Sequence, residues 1–152
     1  MRSLFATPGD DYLRTIGELA YAVSSLEWTL LGDLTLLSPQ LPDDVTVSGL
    51  AGRTTGAISK CLLSASESAT DETVRTYLGT GGRALAEVAE IRNAVLHARP
   101  ASVDGEQRLH RWRATPPEAY TITDSWLAEK LARIAELSSE VNAVRPPLPG
   151  TP

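Results

Sequence analysis

From Leu13 to Leu37 the positions Ile16, Ala20, Val23, Glu27, Leu30, Leu34 and Leu37 follow one another at alternating steps of four and three, and all but Glu27 are apolar. That spacing lays one face along a 3.6-residue helix. It predicts a first helix that stops at "SPQLPDD", because Pro39 and Pro42 cannot extend the hydrogen-bond ladder. A second helix is expected from about Val47 to Ser66, with Val47, Leu50, Thr54, Ala57, Ile58, Cys61 and Leu62 on one face. Gly49, Gly52 and Gly56 weaken it, each by about 1 kcal/mol relative to alanine. Thr70 or Asp71 can cap a third helix, in which Val74, Leu78, Leu85, Val88, Arg92 and Val95 repeat the pattern until Pro100 closes it. A fourth runs from Thr123 or Asp124 to about Val144 through Leu127, Leu131, Ile134, Leu137 and Val141.

Between Ala101 and Thr123 the period changes. An Asp104-Gly105 turn signal and two short strand-like pieces, "RLHRW" and "AYTIT", predict a small hairpin. The expected fold is therefore all-α, an antiparallel four-helix bundle with a short irregular or hairpin insertion between helices three and four. One domain is expected over residues 1–145, followed by a flexible proline-rich tail at 146–152.

Composition narrows the chemistry more than the fold. With 152 residues, 42% hydrophobic and 22% charged, the chain has the make-up of one globular domain. A single cysteine and two histidines cannot build a Cys/His metal cage within one subunit, so neither metal nor cofactor is expected. The N-terminal "MRSLFATPGDDYL" turns acidic before any apolar run of signal-peptide length, and no stretch approaches the roughly 20 apolar residues of a membrane span. The expectation is a cytoplasmic protein that does not enter a membrane.

The formal charge of −5 argues against a surface that grips polyanions everywhere. It hides an asymmetry, because residues 92 to 113 hold Arg92, Arg99, Arg108, Arg111 and Arg113 against Asp104 and Glu106. A local anion site is thus open within an acidic protein.

Two charges interrupt apolar stripes: Glu27 in the first helix and Arg92 in the third. Burying either alone would cost several kcal/mol, so each needs a partner or water. An ion pair between Glu27 and Arg92 across the bundle is one solution; snorkelling to solvent is the other. Asn93 and His97 stack one turn apart, whereas Arg92 points about 140° away from His97 at 3.6 residues per turn. A histidine exchanges protons near neutral pH and an arginine offers a fixed planar fork to phosphate oxygens. Arg92, Asn93 and His97 therefore suit phosphodiester cleavage without a metal, against the plainer reading of a partly exposed His97 near a helix end, favourable with the macrodipole and of no chemical use.

"RNAVLH", residues 92–97, late in the third helix of a small helical domain, resembles the motif of the HEPN family. Many relatives carry glycine after the histidine, where this chain has Ala98. The resemblance implies a metal-independent endoribonuclease that acts on RNA as a homodimer and leaves a 2′,3′-cyclic phosphate and a 5′-hydroxyl. His97 would be general base or acid, Arg92 would bind the scissile phosphate, and Asn93 would orient its neighbours. It also implies membership of a toxin-antitoxin or phage-defence pair, with an antitoxin protein as partner. The alternative within the family is a non-catalytic dimerisation or nucleotide-binding module.

Arg99, Arg111 and Arg113 are candidate substrate contacts, and Arg108, His110 and Trp112 in the hairpin either add charge and stacking or form no more than a solvated basic edge. "LGTGGRA", residues 78–84, is read as a kink or a close helix crossing, since no strand precedes it and no Gly-Lys-Ser/Thr follows. Trp28 and Trp126 are expected in the core or a dimer interface.

Overall fold

A computed structural model describes residues 6–147, so most of the expected tail lies outside the described residues. Helix α1 spans Asp10–Leu37 and buries Val23, Leu30, Leu34 and Leu37 of the predicted stripe, but Ala20 is exposed and the buried face is completed by Leu19 and Leu26, one residue to the side. A single 3-10 turn at Ser38–Gln40 follows, started by Pro39.

The expected second helix is two. Helix α2 is only Val47–Leu50, and α3 begins at Thr55 and runs to Ser68. The chain breaks at Gly52, and the Thr54 hydroxyl accepts from the Ala57 amide at 3.3 Å, so a capping side chain outcompetes the continued ladder. The break matters because it puts Thr55, 3% exposed, in the first turn of α3, where it meets α1 and α4.

Helix α4, Glu72–Leu96, starts where Asp71 accepts from the Val74 amide at 3.0 Å. Its glycine run is a close helix crossing. A Cβ on Gly81 would come within 2.5 Å of Leu30 Cδ2, and one on Gly82 within 2.8 Å of Leu63 Cγ. The gap also lets the Ser59 hydroxyl donate to the Gly82 carbonyl at 2.7 Å.

The all-α expectation is overturned after α4. Three strands, β1 (Arg99–Val103), β2 (Glu106–Arg113) and β3 (Glu118–Ile122), form an antiparallel sheet in the order β1-β2-β3 before α5 (Asp124–Ala143) completes five helices. The two strand-like pieces are β2 and β3; β1 was not foreseen. "RPASV" has one β-branched residue and a proline, a poor strand signal, but β1 is an edge strand, where a missing proline N–H is tolerated. Asp104 and Gly105, both at positive φ (52° and 81°), turn the chain between the paired Val103 and Glu106, so two residues suffice to bring β1 against β2.

The sheet is fastened to the helices by its inner face. Ile122 is fully buried opposite Leu109, and Tyr120 stacks obliquely on Trp126 of α5 with centroids 6.2 Å apart. Tyr12 of α1 reaches this strand pair: its hydroxyl donates to the Ile122 carbonyl at 2.7 Å and accepts from the Leu109 amide at 3.0 Å. Strand alternation then turns Arg99, His110 and Trp112 to the opposite, outer face. Trp28 does not join the core; it is 52% exposed on α1.

Candidate functional site

Two shallow clefts flank the C-terminal part of α4, and they divide the motif between them. The first, about 360 Å³, is lined by Ala20, Ser24 and Glu27 of α1, by Arg53 and Thr55 around the start of α3, and by Arg92. Arg92 Nη1 donates to Thr55 Oγ1 at 3.2 Å, and the Thr55 hydroxyl donates to Glu27 Oε2 at 2.6 Å. The expected pairing of Glu27 with Arg92 is thus made through a threonine, and among the described residues neither forms a direct ion pair. One hydroxyl both accepts from the guanidinium and donates to the carboxylate, which fixes the orientation of all three groups.

The second cleft, about 330 Å³, is lined by His97, Arg99, His110 and Trp112. His97 caps the C-terminus of α4 with φ −98° and ψ 6°, and its amide donates to the Asn93 carbonyl at 3.0 Å. Its ring is exposed and has no hydrogen-bond partner among the described residues. Two residues on, Arg99 opens β1 and sits in register with His110 on β2. His110 Nδ1 lies 3.5 Å from Thr121 Oγ1, and Trp112, two residues further along β2, is 60% exposed.

Arg92 and His97 therefore face different clefts of one protomer, as the angle between them requires. Asn93 is half-buried between them, lines neither cleft, and makes no side-chain hydrogen bond among the described residues. The three candidate substrate arginines are also separated. Arg111 lies on the inner face with its Nε 3.5 Å from Glu118, and Arg113 Nη2 is 3.2 Å from the same carboxylate. The two share that one carboxylate. Arg99 is exposed and has no carboxylate partner among the described residues, so of the three it is the one free to meet an anion.

Arg108 is likewise occupied, bridging Glu106 and Asp124 while its guanidinium carbon lies 4.6 Å from the centre of the Tyr12 ring. Thr55 had no signal of its own in the sequence; the Gly52 break and the Thr54 cap were the available clues. His110 was visible as one of two histidines, but its place beside His97 depends on the unforeseen β1.

The chain matches no family model, no curated protein and no solved structure. Among the described residues no helix is long and apolar enough to cross a membrane.

Proposed function

We propose that the protein is a metal-independent endoribonuclease of HEPN type, acting in the cytoplasm as a homodimer. The observation that carries this reading is the imidazole of His97, unpartnered among the described residues, which shares a cleft with the equally unpaired guanidinium of Arg99, five and seven residues past the anchored Arg92. An imidazole near neutral pH can remove the proton of a ribose 2′-hydroxyl, and a guanidinium can stabilise the charge that builds on the phosphate oxygens. Arg92 supplies the second cation. Apposing the α4 ends of two protomers would set the Arg92 cleft of one against the His97 cleft of the other, which is how a dimer overcomes their divergence. The same reading carries an antitoxin protein as a binding partner.

The test is incubation of the purified protein with mixed RNA in excess chelator, with His97→Ala and Arg92→Ala in parallel. Cleavage giving 2′,3′-cyclic phosphate ends, and lost in both variants, is the expected result. Persistence of cleavage in both, or none from the wild type, removes the assignment.

A second reading draws on the Glu27, Thr55 and Arg92 bridge itself. A guanidinium already holding two elements together is suited to a structural role, as in a non-catalytic dimerisation or nucleotide-binding module. Under that reading Arg92→Ala lowers stability or dimer affinity, and the wild type leaves RNA intact.

A further inference from the structure

The outer face of the sheet adds something that the α4 motif lacks. Cleavage of a phosphodiester by its own 2′-hydroxyl moves two protons: one must leave O2′ as the O2′–P bond forms, and one must reach O5′ as the P–O5′ bond breaks. A single imidazole can serve only one of these at a time. Both histidines of the chain line the same 330 Å³ cleft, together with Arg99 and the exposed Trp112.

They come from different elements, His97 from the end of α4 and His110 from the middle of β2, and the register of β1 with β2 places Arg99 against His110. The Thr121 hydroxyl of β3 lies 3.5 Å from His110 Nδ1, and the ring's other nitrogen, Nε2, has no hydrogen-bond partner among the described residues. Trp112 offers an uncovered indole two residues along the same strand face, the kind of surface on which an unpaired base stacks.

We propose that His110 is the second proton-transfer residue, so that His97 and His110 of one chain form the acid–base pair, Arg99 holds the phosphate and Trp112 stacks a base of single-stranded RNA. This rests on the ribonuclease reading above. In the step, the neutral imidazole takes the O2′ proton and the imidazolium gives its proton to the departing O5′. No other reactant is consumed, and proton exchange with water restores the starting state.

The experiment uses the full chain and the shortest oligoribonucleotide that the wild type cuts, in two forms: unmodified, and with sulfur replacing the bridging O5′. Thiolate leaves without protonation, so the substituted form does not need the acid. His97→Ala, His110→Ala and His110→Gln should each slow cleavage of the unmodified RNA by about a hundredfold or more. One histidine site, and not the other, should recover to near the wild-type rate on the sulfur substrate. Trp112→Ala should raise KM by about tenfold with kcat little changed.

Wild-type rates in both His110 variants overturn the pair while leaving the ribonuclease reading in place, as does failure of either histidine site to recover on the sulfur substrate. A wild type that cuts no RNA removes both. Unchanged circular dichroism of His110→Gln keeps a rate loss from being mistaken for misfolding.

Discussion

Tyr77 of α4 places its hydroxyl on the carboxylate of Asp33 in the helical core, and Arg145, just past α5, donates to the other carboxylate oxygen. Asp33 is 2% exposed and Tyr77 fully buried, so this is an ionisable group far from bulk water that is held by one neutral and one charged donor. It also ties α1, α4 and the segment after α5 to one point. Removing a donor leaves a carboxylate lone pair unsatisfied, which costs about 1–3 kcal/mol. Tyr77→Phe should therefore lower stability by about that amount in urea denaturation with an unchanged m value. Asp33→Ala should cost more, since it strands the Tyr77 hydroxyl and opens a gap. A Tyr77→Phe variant as stable as the wild type would show the hydroxyl to be dispensable.

Alkaline pH should act through the same residue. Burial, reinforced by the Asp33 hydrogen bond, pushes the Tyr77 phenol well above its ordinary value, and burial raises Tyr12 as well. An unfolded phenol ionises near pH 10, whereas the folded ones keep their protons, so unfolding releases protons above that pH. The stabilisation is complete below pH 10 and is lost as pH climbs toward the folded values. Melting temperature should fall from about pH 10 upward, less steeply in Tyr77→Phe; a flat profile between pH 9 and 11 would contradict it.

Two helical glycines, one at the α1 and α4 crossing and one in open space, should respond to alanine with opposite signs. A Cβ on Gly81 would come 2.5 Å from Leu30 Cδ2, and Leu30 is 1% exposed, with little room to yield. Gly81→Ala should destabilise by about 1–3 kcal/mol through overpacking. Gly17, inside α1, has nothing within 4 Å of the added atom, so Gly17→Ala should stabilise by about 0.5–1 kcal/mol. Thermal unfolding of both variants gives the comparison, and equal shifts of the same sign would count against the crossing.

Helical periodicity made α1, α4 and α5 legible, because each buries a long stripe whose spacing survives in the sequence. The break before Thr55 was obscured by apolar residues that stay in phase on both sides of it, from Leu50 to Ile58. Strand β1 was obscured for a different reason. Its place depends on pairing with β2 and not on its own residues, and edge pairing leaves little trace in side-chain pattern. The site inherits this division. Arg92 and His97 could be singled out from one helix, and their divergence followed from its geometry. Thr55 between Glu27 and Arg92, and Arg99 beside His110, are products of tertiary contact.

Thr55 gives the sharpest test of what Arg92 does. Valine has nearly the same shape but neither accepts from Arg92 nor donates to Glu27, so Thr55→Val releases both charged groups at once, whereas Thr55→Ser keeps the hydroxyl. Thr55 is 3% exposed, so an unanswered carboxylate beside it should cost about 1–3 kcal/mol in Thr55→Val, and serine should recover most of that loss. If Arg92 must be held in place to meet phosphate, RNA cleavage should fall in Thr55→Val at temperatures where the variant is fully folded, and return in Thr55→Ser. If Arg92 only braces α3 against α4, stability should drop alone, with cleavage by the folded fraction unchanged. Urea denaturation and an RNA cleavage assay on the same three proteins separate the two, since a bracing role moves the first measurement and a phosphate-binding role moves both.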